Sequence, residues 1–204
     1  MNNFSMKIDM DSCSRSGLYQ EVRLMMAFIE QQNYQLENYT EKFSDMLING
    51  GSGVSSNEYF DHISVSNISN EQYDLEATFK QDLPNYVRKS QVLMLWAMLE
   101  DTLSYIVREL SAKRKISFRS KRKHESIFIH YLKWLEKIDD REFISESSVQ
   151  FLDSNVRKVR NSLVHGSPLT VLHEGYEVTE AGIVISKKYV WEICMAIDTL
   201  AWRI

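Results

Sequence analysis

Cysteine is nearly absent from this 204-residue chain: only Cys13 and Cys194 occur, far apart in sequence. That leaves no basis for a disulfide framework or a cysteine-ligated zinc site. No apolar run approaches the roughly 20 residues a membrane-spanning helix needs. Met1 to Asp11 carries Lys7 but no apolar stretch, so a secretory signal is not expected and the chain reads as cytoplasmic. Glycine-rich phosphate loops of the G-x-x-x-x-G-K-[ST] or G-x-G-x-x-G type are missing, as are H-E-x-x-H, C-x-x-C and G-x-S-x-G. An enzyme built from this sequence is expected to work without a tightly bound metal or organic cofactor.

What is present is the composition of one soluble globular domain, with 44% hydrophobic and 25% charged residues. The net charge of −4 conceals an asymmetry. Residues 1–110 hold 8 Lys/Arg against 16 Asp/Glu, whereas 111–204 hold 16 against 12. A polyanion would meet the C-terminal half first, because local potential steers a charged partner more than the whole-chain sum does. Uneven solvated helix faces would give the same asymmetry with no partner at all.

Apolar spacing predicts five helices in an all-α bundle, with a small β-hairpin before the last. The first spans Leu18 to Ile48, with Val22, Met25, Met26, Ile29, Leu36, Phe43 and Leu47 inward, and breaks at Asn49-Gly50-Gly51-Ser52-Gly53. Segment 54–73 is polar and reads as a surface excursion. The second helix, about 85–112 and just after Pro84, has the clearest stripe: Val92, Leu95, Leu99, Leu103, Ile106 and Leu110, widened by Trp96 and Val107. Glu100 lies on the edge of that stripe, where a carboxylate needs a partner or a wet cleft.

The third helix, about 121–138, places Ile127, Tyr131, Trp134, Leu135 and Ile138 inward. The fourth starts near Ser147 or Ser148 as caps, buries Val149, Leu152, Val156, Val159 and Leu163, and stops at Gly166 before Pro168. Around Gly175 and Gly182, Leu169-Thr170-Val171-Leu172 and Ile183-Val184-Ile185 have strand character. The closing helix, 187–203, turns Val190, Trp191, Cys194, Ile197 and Ala201 inward. Trp96, Trp134, Trp191 and Trp202 are most simply core. One domain is expected over 1–204, with 1–73 an N-terminal helix and flexible segment and 74–204 the core.

The chemical candidate is Arg160-Asn161-x-x-x-His165 at the end of the fourth helix. Asn161 and His165 are four apart and stack on one face, and Arg160, about 100° around, can swing its long fork toward them. The negative end of a helix dipole favours cations. An imidazole can take and give a proton, a guanidinium can clamp two phosphate oxygens, and an amide can orient either group. These suit transesterification at an RNA phosphodiester, whose 2′-OH is the attacking group DNA lacks. The bland alternative is a histidine that only caps terminal carbonyls and a solvated arginine.

Arg160-Asn161-x-x-x-His165, near the end of the fourth helix of an all-α domain, resembles the R-x4-6-H motif of the HEPN superfamily. The residue after the Arg is commonly Asn, Asp or His there, and the helix order over about 75–204 also agrees. The resemblance implies a metal-independent endoribonuclease, often a toxin or phage-defence effector. It implies a homodimer in which two motifs face one cleft, with RNA as substrate and an antitoxin or defence-system partner. It also implies a polar residue on an earlier helix near the site, for which Glu100 is the candidate and Asp101 the runner-up. Antitoxins that modify such toxins act on a Tyr two residues after the His. Gly166-Ser167 follows here, which argues against that partnership.

Seven basic residues occupy the eleven positions 113–123. Lys121, Arg122 and Lys123, with Arg157, are the candidate RNA-backbone contacts, and Phe118 a candidate stacking residue. A solvated interhelical loop is the alternative. His124 and His130 do not share a helix face. His173, placed on the expected hairpin, is a further candidate for lining the cleft.

Overall fold

The computed structural model describes residues 10–49, 64–65, 68–69, 72–118, 121, 123 and 125–204. The side chains of Phe43 and Leu47, the glycines at 50–53, most of 54–73, Arg122 and His124 lie outside the described residues.

Helix α1 (Met10–Asn49) starts earlier than its apolar pattern. It buries Leu18, Val22, Met26, Ile29 and Asn33, at three- and four-residue steps along one face. The next helical run starts as α2 (Leu75–Ala77), capped by Asp74, which accepts from the Ala77 amide at 3.0 Å. It widens into a π turn (Thr78–Asp82) and continues as α3 (Leu83–Arg114). The π turn explains how Pro84 is tolerated inside a continuous helix. Its ring would strike the carbonyl four residues back, and it offers no N–H. In the wide turn the Leu83 N–H instead reaches Thr78 O, which opens the backbone there.

Helix α3 is the central element and packs against every other long helix. All eight of its expected stripe residues, from Val92 to Leu110, are buried. Truncating a fully buried one such as Leu99 to alanine would cost about 2–5 kcal/mol in transfer and cavity terms.

Helix α4 (Ile127–Asp139) starts six residues later than its sequence pattern suggests. Ser126 sets the start: its Oγ accepts from the Ile129 amide at 3.2 Å, so the basic run stays outside the helix. Phe128 and Leu132, with Trp134 and Leu135, form its buried side, whereas Ile127, Tyr131 and Ile138 are only half-buried.

A second composite helix runs as α5 (Ser147–Phe151), a π turn (Leu152–Val156) and α6 (Arg157–His165). Glu146, not a serine, occupies its N-cap, without a side-chain capping bond. The extra residue of the π turn lets the consecutive Asn155 and Val156 both point inward. Gly166 ends α6 at φ 64°, with its N–H on Ser162 O at 2.9 Å.

The hairpin pairs β3 (Tyr176–Thr179) with β4 (Gly182–Ile185), antiparallel, turning at Glu180-Ala181. A shorter ladder joins β1 (Ser64–Val65) to β2 (Ile68–Ser69). Residues 169–172 are not a strand: they pair with no strand among the described residues, and Leu172 is almost fully exposed. The Val171 carbonyl instead accepts the Tyr176 hydroxyl at 2.6 Å.

Ser186 caps α7 (Lys187–Arg203), accepting from the Tyr189 amide at 3.1 Å. The buried face of α7 carries Tyr189, Val190, Ile193, Cys194, Ile197, Leu200 and Ala201. Trp191 and Trp202 depart from the expected core: both are exposed, and Trp202 lies edge-on to Tyr19 at 5.1 Å. Among the described residues no helix is long and apolar enough to cross a membrane.

Candidate active site at the end of helix α6

Helix α6 is short, and Val159 anchors it by full burial while Leu163 is partly buried. That anchoring leaves Arg160 and Asn161 half-buried at the surface and His165 exposed on the last turn. One Arg160 Nη1–H donates to Asn161 Oδ1 at 3.1 Å. The amide oxygen is thereby tied to the guanidinium, and the Asn161 NH2 remains as a donor. Among the described residues His165 has no hydrogen bond or ion pair, so its ring is open to a partner from outside the chain.

Glu100 on α3 is half-buried beside these groups. Burial pushes its carboxyl above the ordinary value of 4.5. A hydrogen bond from the Trp96 side chain and the charge of Arg160 pull it back, Asp101 adds to the rise, and Arg157 opposes it. Glu100, Arg157 and Arg160 thus share one electrostatic neighbourhood between α3 and α6. Asp101 is exposed.

Asp153 was not among the candidates expected from sequence. Its Oδ1 accepts from Arg157 Nε at 2.7 Å and from Ser126 Oγ at 2.8 Å. One carboxylate therefore ties the capping residue of α4 to the first turn of α6. The signal available in sequence was the i,i+4 spacing of Asp153 and Arg157; the link to Ser126 is tertiary.

The basic segment contributes exposed ammonium groups. Lys121 and Lys123 are exposed, and Lys121 Nζ reaches Glu125 O at 3.3 Å. Phe118 is not a free stacking platform. It is half-buried among His130, Tyr131 and Trp134, with ring centroids 4.8 to 5.8 Å away. His130 meets Glu125 at 3.1 Å, and Lys133 meets the other oxygen of that carboxylate at 2.7 Å.

His173 lies before the hairpin. Its Nδ1 accepts the Gly175 N–H at 3.0 Å, and its ring packs among Phe151, Tyr176 and Tyr189. An imidazole held that way serves the loop 166–175. Cys194 is equally unsuited to nucleophilic work, since burial pushes its thiol up to about 12.

The arrangement offers a guanidinium, a carboxamide and an open imidazole within the last two turns of one helix, with a raised carboxyl behind them. No family model, no curated protein and no solved structure matches this chain.

Proposed function

We propose that this protein is a metal-independent endoribonuclease of the HEPN type, a cytoplasmic toxin or phage-defence effector that works as a homodimer. The observation that carries the proposal is the grouping of Arg160, Asn161 and His165, unpartnered among the described residues, at the capped end of α6, beside Glu100 of α3.

The reaction suited to these groups is transesterification. A base takes the proton of a ribose 2′-OH, and the 2′-oxygen attacks phosphorus. The 5′-oxygen leaves with a proton from an acid, giving a 2′,3′-cyclic phosphate and a 5′-hydroxyl. His165 is the proton-transfer group. Arg160 clamps the charged phosphorane, Asn161 steadies the guanidinium and orients the phosphate, and Glu100 holds the arginine pair. Arg157, Lys121, Arg122 and Lys123 follow the RNA backbone. One imidazole cannot stand on both sides of one phosphorus; two copies of the motif facing each other across a dimer cleft can.

The test is incubation of mixed RNA with the protein in excess EDTA, beside Arg160→Ala and His165→Ala. Each variant is expected to cut about 100-fold more slowly or worse, with cyclic phosphate ends on the wild-type products. Intact RNA with the wild type, or equal cutting by both variants, refutes the nuclease. RNA held but not cut would point to a binding module instead.

A further inference from the structure

Between α1 and α7 lies a cleft of about 600 Å³ whose lining includes no residue of α6. That is the size of a small-molecule site. Its floor is apolar, formed by Ile29 and Val190, and two aromatic side chains stand at its rim: Tyr34, 61% exposed, and Trp191, 40% exposed. The two rings, on neighbouring helices, leave apolar surface available to a ligand seated in the cleft.

The lining carries two carboxylates, Glu30 and Glu37, and two ammonium groups, Lys187 and Lys188. Lys187 pairs with Glu37 at 2.6 Å, and the charge of Arg88 also acts on Glu37. Lys188 contacts Glu174 and lies 3.7 Å from Glu192. Each cation is thus answered by a carboxylate, and an anionic ligand would have to displace those pairs. Glu30, also in the lining, has no hydrogen bond or ion pair among the described residues. It is the lining carboxylate that neither lysine answers.

Asn33 supplies a polar group from inside. It is 9% exposed and lines the cleft, and its Oδ1 accepts from Gln91 Nε2 at 3.3 Å. Its NH2 has no partner among the described residues and remains as a donor.

We infer that this cleft binds a small organic cation with an apolar body, an amine or guanidine whose head pairs with Glu30 while its body lies against Trp191 and Tyr34. An unpaired carboxylate beside exposed aromatic faces favours that chemistry twice, through a charge-assisted hydrogen bond to the head and through apolar contact of the rings with the body. Asn33 adds a donor for one acceptor atom on the ligand. The site is separate from the α6 motif and does not depend on RNA cleavage.

Calorimetric titration tests it with 2-phenylethylammonium and its neutral isostere 2-phenylethanol. The wild type is expected to bind the ammonium about tenfold or more tightly than the alcohol, the worth of one charge-assisted hydrogen bond. Glu30→Gln should bring the two ligands to near equality, Glu30→Asp should keep the preference, and Trp191→Ala should weaken both. Both positions are exposed, and circular dichroism checks each variant's fold. The inference is overturned if the wild type does not bind the ammonium. It is equally overturned if the alcohol binds as well, or if the preference survives in Glu30→Gln.

Discussion

Tyr189 Oη donates a 2.6 Å hydrogen bond to Asn155 Oδ1 inside the core, joining α7 to the π turn that leads into α6. The Tyr176 side chain, whose hydroxyl donates to Val171 O, also interacts with Asn155. The closing helix, the hairpin and the helix that carries the candidate site therefore meet at one buried carboxamide. Tyr189→Phe leaves that carboxamide short of a partner and should cost about 1–3 kcal/mol in urea unfolding. A change within about 0.5 kcal/mol, the ordinary range for surface substitutions, would show that the bond contributes little.

Two glycines flank the loop between α6 and the hairpin, and they should respond differently to alanine. A Cβ on Gly175 would lie 2.7 Å from Tyr189 Cβ and Cδ2. Overpacking of that kind costs about 1–3 kcal/mol. A Cβ on Gly166 meets open space, but its φ of +64° is left-handed, which costs an L-residue about 1 kcal/mol. Thermal unfolding should rank Gly175→Ala below Gly166→Ala.

Glu100 predicts a pH dependence of stability. Its folded carboxyl value is raised, chiefly by burial, so the protonated form is favoured in the folded state. The folded chain is relatively more stable below the unfolded value of 4.5 and loses that advantage as pH rises through the folded value. Glu100→Gln should therefore match wild type in melting temperature near pH 4 and exceed it at pH 7. Parallel melting curves across that range would contradict the assignment.

Arg157 predicts a salt effect. Asp153 holds its Nε and Nη2 edge, at 2.7 and 3.5 Å, and Nη1 has no hydrogen bond among the described residues. In a His165→Ala background, Arg157→Ala should weaken binding of labelled single-stranded RNA. The slope of log affinity against log salt should fall by about 0.7, the value for one phosphate contact on a single strand. An unchanged slope in fluorescence anisotropy would remove Arg157 from the RNA path.

The stripe from Val92 to Leu110 and the stop at Gly166 were legible in the sequence, because helix periodicity and a left-handed cap are local properties. So were the all-α class and the position of the motif on its helix. Local pattern could not say which faces find partners. Trp191 and Trp202 look like core residues by type, yet both lie at the surface, Trp202 with only the edge of Tyr19 against it among the described residues. Val171 and Leu172 look like a strand, yet the partner of β4 is Tyr176–Thr179, set by the Glu180-Ala181 turn and the anchoring of Tyr176. Only tertiary structure brought Glu100 beside Arg160, and Ser126 to the carboxylate that holds Arg157, because those contacts join residues remote in sequence whose helices had first to pack on one core.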